Sequence, residues 1–73
     1  MTVSWIFSRE GEQVRVDLVR TSGAYLVRVR HPDGREQRIV LASLLHAILQ
    51  QARIERRLTS AGWHLADFRR LPL

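Results

Sequence analysis

The sequence predicts an α+β domain: a four-stranded antiparallel meander packed on one C-terminal helix (ββββα), with a possible short terminal strand. Three observations carry this. Between residues 3 and 41, apolar side chains alternate with polar ones, the period-two signature of strands with one buried face. Polar, glycine-bearing breaks at residues 9–12, 21–23 and 31–34 cut that stretch into hairpin-sized pieces. From about Ser43 the apolar spacing changes to that of a helix, and Gly62 marks its end.

Each element has its own justification. Val3, Trp5 and Phe7 alternate with Ser4, Ile6 and Ser8, so the first strand turns its aromatic side inward. After Arg9-Glu10-Gly11-Glu12, where glycine supplies a positive φ, Gln13 to Val19 resumes the alternation with Val14, Val16 and Leu18 inward. Thr21-Ser22-Gly23 makes a second turn, and Tyr25, Val27 and Val29 line the inner side of a third strand. His31-Pro32-Asp33-Gly34 is the strongest local signal: proline presets φ, Asp bonds back to the backbone, and Gly takes the left-handed position. The fourth strand, Glu36 to Leu41, directs Ile39 and Leu41 inward and Arg38 and Val40 outward.

At 100° per residue, Leu41, Leu44, Leu45, Ile48, Leu49 and Ala52 fall on one stripe, and Ala47, Gln51, Ile54 and Leu58 form a shoulder beside it. The stripe is expected to cover the sheet, so that Trp5, Val16, Val27, Leu45 and Ile48 are buried together. Ser43 is the expected N-cap, with His46 where a capping box has Glu or Gln. With Gly62 at C′, Trp63 reaches back to Leu58, the contact of a Schellman ending. Residues 63–68 read as a short strand or a wrap along the domain edge, and residues 69–73 as a fraying end.

Seventy-three residues leave room for one domain, 1–73, with one thin core. There is no cysteine, which removes disulfides, thiolate metal sites and cysteine nucleophiles together. A domain this small without a cross-link or a metal is helped by a partner subunit, so a homo-oligomer is expected. No apolar run is long enough for a membrane span and no secretion signal is legible, so no membrane association is expected and the expected localisation is cytoplasmic.

The chemistry-bearing residues do not converge. His31, His46 and His64 fall in the proline turn, on the helix and after it, without metal-ligand spacing. The acids lie in turns or beside arginines, and the glycines form no phosphate loop. No catalytic residue, metal site, cofactor or small-molecule substrate is indicated, and the protein reads as non-enzymatic.

Charge is the feature that remains. The net charge is +5, and all twelve basic residues are arginine, through coding bias or because the planar fork suits phosphate. By strand parity Arg15, Arg28, Arg30 and Arg38 share the outer sheet face, balanced only by Asp17 and Glu36; Arg53 and Arg57 form a basic ridge on the helix. These six are the candidate nucleic-acid-binding residues, and a single strand is the candidate partner. Ile6, Leu26 and Val40 on the same outer face are the candidate oligomer contact, the alternative being a homo-oligomeric interaction module with no nucleic-acid role. Four antiparallel strands followed by a helix, from Val3 to about Ser60, resemble the topology of the Whirly, PUR-repeat and transcriptional-coactivator group. That resemblance implies a sheet that receives single-stranded nucleic acid.

Overall fold

In the computed structural model, which describes residues 2–71, the elements run β1 (Thr2–Arg9), β2 (Glu12–Thr21), β3 (Ala24–Arg30), β4 (Glu36–Leu41), α1 (Leu44–Ser60) and β5 (His64–Leu71). The α+β order is the predicted one, with the terminal strand formed. All neighbours are antiparallel and the sheet order is β4-β3-β2-β1-β5. The helix thus connects one edge of the sheet to the other.

Local chemistry explains the turns. Glu10 and Gly11 both take positive φ, 51° and 81°, which matches the twist of the flanking strands and closes β1 on β2 tightly. In the proline turn, Gly34 N–H donates to the His31 carbonyl at 3.0 Å and Arg35 N–H donates to the Asp33 carboxylate at 2.9 Å. The Ser43 hydroxyl accepts from His46 N–H at 3.2 Å and pairs with the His46 ring at 2.9 Å, so the histidine side chain also folds back on the cap. The helix ends as a Schellman motif: Trp63 N–H donates to Leu58 O at 3.0 Å and Gly62 N–H to Thr59 O at 3.1 Å. Arg9 seals this end, its guanidinium lying 4.5 Å from the Trp63 ring centre and donating to the Ala61 carbonyl at 2.7 Å.

Register sorts the side chains by face. Phe7, Val14, Val16, Leu18, Val27 and Val29 point to the helix side and form the core with Ala47 and Trp63. The helix meets this core with the shoulder, not the stripe. Ala47 and Gln51 are its buried residues and Ile54 and Leu58 pack beside them, whereas Leu45 is 64% exposed and Ile48 48% exposed. The expected joint burial therefore holds for Val16 and Val27, holds in part for Trp5, and fails for Leu45 and Ile48. The reason is the anchored C-terminus: Trp63 and Arg9 fix Leu58 over the core, and the residues stacked above Leu58 on the same helix face are Ile54, Gln51 and Ala47.

β5 is longer than expected. Arg69 and Arg70 pair with Ser4 and Val3 instead of fraying, because β1 offers them an unpaired ladder edge. The remainder of the expected fraying end, residues 72–73, lies outside the described residues. A bulge between Ile6 and Phe7 absorbs the extra residue Ala66 and lets Leu65 and Phe68 both pair with inward-facing positions, Phe7 and Trp5.

Candidate functional site

The outer sheet face carries two ordered rows of charge. One runs Glu36, Arg30, Arg15, Ile6, Asp67 across the strands, and the next runs Arg38, Arg28, Asp17, Ser4, Arg69. The four sheet arginines expected from parity are thus brought together, and β5 adds Arg69 and Asp67. Five arginines face three carboxylates. Beside them lies an apolar row of Val40, Leu26 and Val19. Of the expected oligomer-contact residues, Val40 is 71% exposed, while Ile6 and Leu26 are half-buried.

The register sets like charges against each other. Arg15 stands directly opposite Arg30, and Arg28 directly opposite Arg38. Like charges directly opposite each other destabilise a sheet. Carboxylates hold them in place. Asp17, although on the open face, is 0% exposed. Its Oδ1 accepts from the Ser4 hydroxyl and from Arg15 Nε at 2.9 Å, and its Oδ2 accepts from Arg28 Nε and Nη2 at 3.1 and 3.0 Å. Burial pushes the Asp17 pKa up, but the Ser4 hydroxyl and the two guanidiniums outweigh that and keep it below the ordinary carboxylate value. Glu36 bridges Arg38 Nε at 2.7 Å and Arg30 Nε at 3.1 Å, and these two bonds, Arg38 first, lower its pKa. Arg69 Nε donates to Asp67 at 2.8 Å and, with the Phe68 N–H, lowers the Asp67 pKa in turn.

Every one of these five arginines is gripped through Nε. Among the described residues, Nη1 of Arg15 and Arg28 and both terminal nitrogens of Arg30, Arg38 and Arg69 donate to no other group. The carboxylates therefore orient the guanidiniums and leave their outer edges available, with a surplus of two positive charges on the face.

Arg53 and Arg57 are elsewhere. With Arg56, Ser60 and Ala61 they line a shallow hollow at the C-terminal end of α1, which covers the opposite face of the sheet. Arg57, in the last turn, also offsets the negative end of the helix dipole, which disfavours an anion at that spot. The histidines stay apart: His31 pairs with Gln37 at 3.2 Å, His46 with the Ser43 cap, and His64 lies on β5 beside Ser8. Among the described residues no group of three or more His, Asp or Glu is placed to hold a metal ion, and no helix is long and apolar enough to cross a membrane.

Strand parity places Asp17 on the outer face but does not report its burial. Its signal was an acid between Val16 and Leu18 in mid-strand, where acids are poorly accommodated without a partner. No protein family, curated protein or solved structure matches the chain.

Proposed function

We propose that the protein is a small non-enzymatic binding module that takes single-stranded nucleic acid on the outer face of its sheet. The observation that carries this is the pair of cross-strand arginine couples, Arg15 with Arg30 and Arg28 with Arg38, held by their Nε atoms with outer edges free. A face selected for stability alone intersperses the two signs; one that stacks like charges in register gains when an anion joins it. Phosphate oxygens match the planar forks, and the neighbouring Val40, Leu26 and Val19 row gives bases and sugars an apolar surface. A five-stranded sheet, at ~4.8 Å per strand, is wider than the ~12 Å major groove, which favours a single strand over a duplex. Trp5, Phe7 and Tyr25 face the helix side, so base stacking contributes little and the affinity rests on phosphate contacts.

The test is an anisotropy titration with a fluorescein-labelled oligothymidylate at low salt. Binding is expected in the micromolar range, with a steep loss between about 50 and 200 mM salt. The double variant Arg30→Gln, Arg38→Gln leaves the Asp17 cluster intact and should weaken binding several-fold, flattening the salt slope by up to about one unit per lost phosphate contact. Arg53→Ala with Arg57→Ala removes the same charge from the far side and should change little. No binding at ~100 μM protein, or an equal loss in both double variants, overturns the reading. The alternative, a homo-oligomeric interaction module with no nucleic-acid role, then takes its place; the apolar side chains exposed on α1 and β5 favour it.

A further inference from the structure

Seven large hydrophobic side chains are exposed among the described residues, and six of them, Leu44, Leu45, Ile48, Leu49, Leu65 and Phe68, lie on α1 and β5. They are not scattered. The helix packs on β3, β2 and β4, one side of the sheet; Phe7 of β1 is drawn into that core, Trp5 is half-buried at its margin, and the inner side of β5 is left uncovered. Arg57 lines a hollow with Gln37 of β4, which fixes the flank of α1 that looks toward that edge. At 100° per residue Ile48 and Glu55 lie on the opposite flank, toward β1 and β5, and Leu45 and Leu49 continue the stripe over the top of the helix. The uncovered floor carries Trp5 and Phe68, packed edge to face with ring centres 5.6 Å apart, and Leu65 beside them.

Floor and wall thus form an apolar step, and its dimensions say what fills it. Five strands span on the order of 20 Å at ~4.8 Å spacing, and a helix with side chains is ~10 Å wide. One helix covers half of such a sheet; the vacant half has the width of one more helix. The same chain displays a helix whose apolar stripe has no partner. We propose that a second copy of this chain docks here by a twofold axis, each α1 stripe lying on the other's β1–β5 floor. A single operation then covers both the floor and the stripe, the self-complementarity that an isologous contact requires. A different partner would need separate elements for each.

Area and charge agree. At roughly half exposure, the six side chains present on the order of 600 Å² of apolar surface, close to the ~800 Å² per partner of a stable interface. The acid of α1 is Glu55, on the flank that borders the floor; the base on the inner side of β5 is Arg70, opposite Val3. Twofold exchange brings opposite signs onto the same border. This contact lies on the reverse of the sheet from Ile6, Leu26 and Val40, and it leaves the arginine face of both copies open.

Sedimentation of the full chain between 5 and 200 μM is expected to give a species of twice the 8.5 kDa chain mass. Leu49→Glu, at a site 52% exposed and away from the chain's own core, should give the single-chain mass with unchanged circular dichroism. Val40→Glu on the outer face should leave the doubled mass intact. Glu55→Arg should shift the equilibrium toward single chains, and adding Arg70→Glu should restore it, a test that survives even if Leu49→Glu fails to fold. A single-chain mass at 200 μM, heterogeneous larger species, persistence of the dimer in Leu49→Glu, or no rescue by the charge exchange overturns the proposal.

Discussion

The two faces of this one sheet are closed by different means. On the inner face, apolar residues of β2 and β3 and Phe7 of β1 are sealed by the short side chain of Ala47, by Ile54 and Leu58, and by Trp63, while the inner side of β5 goes without a lid. On the outer face, among the described residues, no element covers the sheet, yet Ser4 and Asp17 reach 0% exposure beneath the aliphatic stems and guanidiniums of Arg15 and Arg28. Strand parity decides which face a residue occupies. What covers that face is decided by longer-range partners, and the two faces arrive at burial by hydrophobic packing in one case and by an ion-pair cluster in the other.

The comparison can be broken from either side. The largest effect is expected on the inner face: Phe7→Ala removes a ring that is 1% exposed and should cost about 3 to 5 kcal/mol, read from urea unfolding. Close behind comes the outer face, where Asp17→Ala leaves Ser4, Arg15 and Arg28 without their acceptor. Because the Arg15 and Arg28 side chains remain 37% and 21% exposed and can recover water, the loss should sit near the lower end of the range for broken buried pairs, about 3 kcal/mol. Glu36→Ala, which frees two exposed arginines, should leave the urea midpoint nearly unchanged.

Acid sharpens the contrast. The folded state lowers the Asp17 pKa, so between the lowered and the ordinary value the unfolded chain binds more protons. The stability Asp17 contributes is therefore whole at neutral pH and is lost as pH falls below about 4, through the folded-state pKa. In Asp17→Asn the acid limb of a stability-against-pH curve should be shallower, while Val27→Ala should lower the whole curve and keep its shape. The smallest effect belongs to the uncovered half of the inner face. In the single-chain Leu49→Glu background, Leu45→Ala should shift the urea midpoint negligibly, and Ile48→Ala only slightly more, since within one chain both side chains are about half exposed or more. If Leu45→Ala costs as much as Phe7→Ala in that background, the helix is rotated from the orientation described.

Much of this was legible because it is local. Period-two alternation placed Arg15, Arg28, Arg30 and Arg38 on one face, the glycine turns fixed the register, and Gly62 with Trp63 marked the end of α1. The rotation of the helix was not. Both the leucine stripe and the Ala47, Gln51, Ile54, Leu58 shoulder were visible in the sequence, and the less apolar of the two faces the sheet. Hydrophobicity ranks surfaces by their preference for leaving water; it does not say which anchor, here Trp63 under Arg9, turns the helix. Arg69 and Arg70 read as a loose end because strand pairing with β1 is a contact across the whole chain, which no local pattern reports.

That last pairing also bears on how the molecule assembles itself. The four hairpin-linked strands need only short loops to close, so they can zip in sequence, while β5 must wait until α1 has carried the chain from one sheet edge to the other. A low-contact-order meander with a late-arriving edge strand predicts a graded native state. Amide protons that β5 donates to β1 should exchange at a lower opening free energy than those joining β2 and β3, a ranking that hydrogen exchange can read directly.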